Sequence, residues 1–238
     1  MANKALTSLI LGSFWLFSGL PIQENTAPKV KIHVPNNNNS ISWNRVVPYR
    51  ITVSDLEDGS SAYDEIAMNE VILTIKYVPD ATKANDFLAT EAKKNWDTLS
   101  WMGRNACFTC HRAKDKLIGP SFSEIAKRYS EQPDSVLFLV QKIMNGGKGN
   151  WGEQIMPAQP HLLPEQVEGV IKWILRNGKA EDLNYFSGLE GAFRTRAKPA
   201  DGEKNGLYVL QAHYLDHGLK GNSPDGKLGS DSLFLRLD

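Results

Sequence analysis

The chain has two cysteines, and both fall in one pentapeptide, Cys107-Phe108-Thr109-Cys110-His111. C-x-x-C-H is the attachment signal for c-type haem. The chemistry sets the spacing. Two thiols must reach the two vinyl groups of a porphyrin to form thioethers, and the next residue then projects an imidazole onto the iron. Three other readings compete. A thioredoxin-like redox motif belongs to a βαβ unit, which the flanking sequence is not. Half a zinc site needs a second Cys pair. A local disulfide accounts neither for the following histidine nor for the export signature described below.

A second axial ligand must come from downstream, and the candidates are Met144, Met156, His161, His213 and His217. Met144 ends a helical stretch and reads as core. Met156 lies in Gly152-Glu153-Gln154-Ile155-Met156-Pro157-Ala158, between a glycine-rich loop and Pro160. Such a loop can bring a thioether against an open haem face, and Pro157 stiffens it without leaving an N–H to satisfy. Without the haem motif, Met156 would read as a buried loop methionine. The Met/His pairing of electron-transfer c haems favours it here. His161 is the second choice; its plain reading is an exposed loop histidine.

These residues need elements to hold them. The chain opens with Lys4 and a mostly apolar run from Ala5 to Leu20, which reads as a signal peptide over residues 1–20. The run is short for a spanning helix, which needs about 20 residues. An uncleaved anchor is the alternative, and only then is a membrane expected. Residues 21–80 carry a period of two (Val30, Ile32, Val34; Tyr49 to Ser54; Val71 to Val78), broken by turn-forming stretches. Residues 81–180 turn helical. Ala92 to Arg104 places Trp96, Leu99, Met102 and Gly103 on one face, and Ser121 with Glu124 forms a capping box. Asp134 to Met144 and Pro164 to Arg176 follow as helices. From residue 181 to 238 the β pattern returns, at Gly191 to Arg196, Leu207 to Tyr214 and Ser232 to Leu237. The expected fold class is α+β: an all-α domain between antiparallel β segments that complete one sandwich. Two independent β pieces are the alternative.

At the haem motif the sequence resembles the small bacterial class I cytochromes c, over about residues 88–180. His111 and Met156 are spaced as in the short-loop members. The resemblance implies that the carbonyl of Pro120, nine residues after His111, accepts the hydrogen bond of His111 Nδ1. It also implies that the indole N–H of Trp151 binds a haem propionate, and that the helix bearing Trp173 crosses the N-terminal helix. Trp101 and Met102 stand where a single aromatic is usual in the family, so the packing there departs from its pattern.

The 238 residues carry 27 basic and 27 acidic side chains and are 41% hydrophobic, which excludes a disordered chain and a multi-span membrane protein. The zero net charge argues against a nucleic-acid partner. The expected function is therefore an exported, periplasmic or extracellular monohaem electron carrier rather than an enzyme, exchanging electrons with a redox donor and acceptor. The β segments, at Val53-Ser54-Asp55-Leu56-Glu57-Asp58-Gly59 and Leu228-Gly229-Ser230-Asp231-Ser232-Leu233, resemble parts of large exported proteins that join a sandwich, a cytochrome c and a sugar or sorbosone dehydrogenase. That resemblance implies a sugar dehydrogenase as donor. A carbohydrate- or surface-binding protein with an auxiliary haem is the second function considered, and a haem enzyme or gas sensor with an open iron the third. The acidic run Asp55 to Gly59 also has the composition to hold Ca²⁺, although not at EF-hand spacing. His213 and His217 lie on a strand pattern, whereas a zincin needs them on a helix.

Overall fold

A computed structural model describes residues 24–36, 40–199, 206–219 and 225–238, with nothing said of the side chains at 91–94. The proposed signal segment lies outside the described residues.

Alternating burial builds the first sheet. In β1 (Lys29–Val34) and β2 (Val46–Asp55) every second residue is buried, which turns Val30, Ile32, Val47, Tyr49, Ile51 and Val53 to one face. The short β3 (Gly59–Ser60) pairs the end of β2. Next come β4 (Ile72–Val78), a helical entry through α1 (Ala84–Asp86) and a π-turn at Phe87–Ala92, and α2 (Lys93–Arg104). Three helices follow: α3 (Phe122–Arg128), α4 (Pro133–Asn145) and α5 (Pro164–Asn177), with the hairpin β5 (Gly147–Gly149) and β6 (Gly152–Met156) between the last two. The chain then returns to strand as β7 (Leu183–Ser187), β8 (Glu190–Arg194), β9 (Leu207–Leu215) and β10 (Leu228–Arg236).

The two β segments interleave into one sandwich. In the first sheet β2 pairs β1 on one side and β3 with β8 on the other; the second sheet runs β10-β9-β4-β7, all antiparallel. Each sheet thus contains strands from both the N- and the C-terminal segment, with β8 joining β1–β3 and β4 lying between β9 and β7, and the fold is α+β with helices inserted between the segments. The capping box is present: Ser121 Oγ accepts from Glu124 N, and the Glu124 carboxylate accepts from Ser121 N at 2.7 Å. Strand β7 was not foreseen, because Leu183-Asn184-Tyr185 alternates for only three residues before Phe186 breaks the period; nor was the β5–β6 hairpin, whose residues are almost all exposed.

Strand β9 is buried on both faces. Its even-numbered residues Tyr208, Leu210, Ala212 and Tyr214 join the sandwich core with Leu73, Ile75 and Tyr77 of β4. The opposite face meets the helices: Ile72 and Tyr185 pack with Leu99, Met102 and Phe122, while Val209 packs with Phe87 and Trp96. The second sheet is therefore the middle of three layers. Gly103 lets α2 approach the turn before β4, since a Cβ there would lie 2.6 Å from the carbonyl of Asn69; Asn69 Nδ2 in turn donates to Gly103 O at 2.8 Å.

Candidate functional site

The pentapeptide begins just beyond α2. Ala106 adopts a left-handed conformation (φ 54°), which stops the helix, and Cys107–Thr109 forms a single 3₁₀ turn. His111 N and Cys110 N both donate to the Cys107 carbonyl, and Gly119 N returns to Cys110 O at 2.9 Å. Both thiols and the imidazole are thereby fixed on one short, closed loop.

His111 is oriented from behind. Its Nδ1 lies 2.7 Å from the Pro120 carbonyl, so Nδ1 carries the proton and Nε2 is left with its lone pair. The ring stacks on Phe122 at 5.5 Å between centroids, and Phe122 stacks in turn on Tyr185 of β7 at 6.0 Å. Burial lowers the His111 pKa, opposed by the bond to Pro120, which keeps the imidazole neutral and able to bind a metal. The glycine before Pro120 is required by space: a Cβ on Gly119 would lie 2.4 Å from His111 Cε1.

Across from the loop is a cavity of about 340 Å³, within the size range of small-molecule pockets. Cys107, Cys110, His111, Pro120, Trp151 and Met156 all line it, and aliphatic side chains of α4 (Leu139, Ile143) and α5 (Val167, Val170, Ile171, Ile174) form part of the remaining wall. Met156 ends β6, paired with Gly147, so the stretch read as a loop is a hairpin that presents the methionine. Trp151 stands at the hairpin tip beneath the Arg128 guanidinium, 4.6 Å from its ring centroid. Trp101 also lines the cavity, and its indole N–H reaches Gln166 at 3.4 Å. Trp173 donates to buried Asn95 at 2.9 Å, tying α5 to α2.

The other candidate ligands are elsewhere. Met144 packs against the helical core, and His161 is exposed outside the cavity. His213 is fully buried beside Trp96, and His217 is held by Asp58 and Glu70. Burial pushes the Cys107 thiol up to about 11, so the free thiol is largely protonated at neutral pH. The sequence reading had no place for Phe122 and Tyr185. The only local signal for the first was its position just after the Pro120 turn, and the second comes from a strand that was not anticipated.

Residues 100–178 match the family described as cytochrome c. Over 70 residues the chain is 39% identical to cytochrome c-551 of Pseudomonas denitrificans, which covers 29% of this chain and 84% of that protein. The chain belongs to the cytochrome c family. It is also 36% identical over 72 residues to cytochrome c-552 of Hydrogenobacter thermophilus, covering 30% of this chain and 72% of that one. Among solved structures, wild-type Nitrosomonas europaea cytochrome c552 aligns at 31% identity with 32% of this chain and 93% of its own, with a TM-score of 0.30. The family implies a covalently held haem c, and this cytochrome presents Cys107 and Cys110 at the attachment position. The residues fit such a group: an apolar cavity, two thiols, a neutral imidazole with a free Nε2 and a soft thioether line one space.

Proposed function

We propose that this monohaem c-type cytochrome is an exported single-electron carrier in which His111 and Met156 would bind the haem iron. The observation that supports this is the sharing of one apolar cavity by Cys107, Cys110, His111 and Met156, while Met144, His161, His213 and His217 stay outside it. When bound, the haem supplies a one-electron Fe(III)/Fe(II) couple. Cys107 and Cys110 would tether it through thioethers. The Pro120 carbonyl holds the Nδ1 proton of His111 and aims Nε2 forward. The Met156 thioether is soft and favours the ferrous state, which raises the potential relative to a second histidine. The aliphatic walls from α4 and α5 keep water from the ligands. With both residues bound, the iron would keep no position for oxygen or peroxide, and the chain would carry electrons rather than catalyse a reaction at the iron. Trp151 is proposed to hold a propionate.

The proposed organisation is a haem domain over residues 81–180, with residues 21–80 and 181–238 forming the sandwich and residues 1–20 removed on export. No helix among the described residues is long and apolar enough to cross a membrane. The resemblance of the flanking strands supports a separate sugar dehydrogenase as donor; reduction of the purified cytochrome by such an enzyme plus its sugar tests that link.

The ligand assignment is tested with Met156→Ala. The oxidised variant is expected to lose the weak sulfur-to-iron charge-transfer band, its midpoint potential to fall, and its reduced form to bind carbon monoxide, which the parent should not. An unchanged spectrum and potential would refute Met156.

A further inference from the structure

We infer that the sandwich contains a calcium site formed by Asn25, Asp55 and Asp216. These residues come from three separated stretches: the segment before β1, the last residue of β2 and the residue after β9. They meet at one corner, next to the end of α2. Asn25 Nδ2 donates to Asp216 Oδ1 at 2.9 Å, and the turn that Asp55 opens is tied to both neighbouring stretches, with Thr26 Oγ1 donating to Glu57 at 2.8 Å and His217 N to Asp58 Oδ2 at 2.9 Å.

Each of the three side chains is arranged alike, with one polar atom pinned and the other buried and free. Asp55 Oδ2 accepts from Glu57 N at 3.0 Å and Asp58 N at 2.9 Å, while Oδ1 has no partner. Asp216 is 0% exposed; its Oδ1 accepts from Asn25 Nδ2, Gly218 N and Lys227 N, each at 2.9 Å, while Oδ2 has none. Asn25 is 5% exposed; its Nδ2 donates to Asp216 and to Asp225 O at 3.0 Å, while Oδ1 has none. A buried carboxylate oxygen without a partner is costly, and two beside each other more so. The nearby cations are engaged elsewhere. Lys227 Nζ donates to Asn25 O at 2.6 Å, and Arg104 Nη2 donates to Leu215 O and Asp216 O. Among the described residues neither Asp55 nor Asp216 has an ion-pair partner.

The donor chemistry selects the ion. All three free atoms are oxygens, two from carboxylates and one from an amide, the set preferred by a hard cation. No three His, Cys, Asp or Glu side chains among the described residues are grouped to hold a metal ion, so the third donor of this site is the Asn25 amide and not a carboxylate. With three protein oxygens the rest of the shell is water; Ca²⁺ accepts an irregular shell of about six to eight oxygens, whereas Mg²⁺ demands a near-ideal octahedron. Of the other acids of the corner, Glu57 bonds Thr26, Asp58 bonds Tyr214 and His217, and Glu70 lies in ion-pair range of His217 and of Arg104 Nε; Glu70 Oε2 and Arg104 Nε, like the three oxygens above, make no hydrogen bond. Of the acidic run Asp55 to Gly59, then, only Asp55 contributes. Arg104 ends α2, three residues before Cys107, and holds the carbonyl of Asp216. An ion that fixes Asp216 therefore also fixes the end of the helix that leads into the haem loop.

The test uses the full haem-loaded protein. Metal analysis as purified, then calorimetric titration of the chelator-treated protein with CaCl₂, is expected to give one Ca²⁺ per chain, with a raised melting temperature in Ca²⁺ and little effect of equimolar Mg²⁺. Asp55→Asn and Asp216→Asn should each weaken binding at least tenfold; if Asp216→Asn fails to fold, Asp55→Asn decides. A parent protein with no bound calcium, no heat and no melting shift would overturn the site, as would full-affinity binding in the variants. The haem spectrum reports the ligands independently of either result.

Discussion

The two faces of the middle sheet are built to different rules. On the face toward β1, β2 and β8, strands β4 and β9 present only apolar and aromatic side chains: Leu73, Ile75 and Tyr77, then Tyr208, Leu210, Ala212 and Tyr214. On the face toward α2 the same strands mix Ile72 and Val209 with Thr74, Gln211 and His213. Thr74 Oγ1, Gln211 Oε1 and both ring nitrogens of His213 are buried there without partners, as are Trp96 Nε1 and Ser100 Oγ of α2. A buried polar atom that lacks a hydrogen bond costs about 1–3 kcal/mol. On the sandwich face the hydroxyls of Tyr208 and Tyr214 are bonded, the first accepting from Arg196 N and the second donating to Asp58 Oδ2, each at 2.7 Å. On the helix-facing side, each of these atoms that is not bonded through buried water lowers the stability of the contact with the haem-bearing helices.

The comparison breaks first at Leu210. It is 0% exposed on the sandwich face, and Leu210→Ala should cost about 2–5 kcal/mol. Urea denaturation followed by tryptophan fluorescence measures this. A loss under 1 kcal/mol would mean that the sandwich is not the main store of stability.

The haem site and the sheets differed in how much of them the sequence disclosed. Cys107, Cys110, His111 and Pro120 are local, so covalent spacing nearly determines their geometry, and the observed His111–Pro120 bond matches the expectation from the family resemblance. Strands β1, β2, β4 and β9 were readable because one face or both are apolar at a period of two. Partner choice was not readable. Nothing in Ile72 to Val78 indicates that β7 and β9 flank it, since pairing depends on what the intervening helices leave exposed. The calcium corner was half visible. Asp55 stood in an obvious acidic run, whereas Asp216 is 161 residues further on and gave no signal of its own.

The second prediction concerns His213. Burial alone drives its pKa down to about 3, with no charged neighbour contributing. The unfolded chain binds a proton near pH 6.5 and the folded chain does not, so this stability is complete above pH 6.5 and is lost as pH falls from there toward 3. The slope is about 1.4 kcal/mol per pH unit for one such group. Equilibrium unfolding at pH 7, 6 and 5 should show it, and His213→Phe should remove that share of the slope while keeping the ring beside Trp96. A variant with the parent's full acid slope would place the proton uptake elsewhere.

The smallest expected effect is the most discriminating, because its sign differs between the faces. Gln211 is 4% exposed and sits directly opposite Thr74 across the β4–β9 ladder. Replacing it with an apolar residue of similar size removes a buried amide whose Oε1 has no partner, leaving only the packing of the new side chain. Removing an unsatisfied polar group in this way is close to neutral or stabilising. Gln211→Leu is therefore expected to leave the urea midpoint within about 1 kcal/mol of the parent or raise it, where a polar substitution at neighbouring Leu210 would be strongly destabilising. If Gln211→Leu instead costs as much as Leu210→Ala, the amide is making hydrogen bonds through buried water at the helix junction. The two faces would then be equally well satisfied, one by apolar contact and the other by an ordered polar layer.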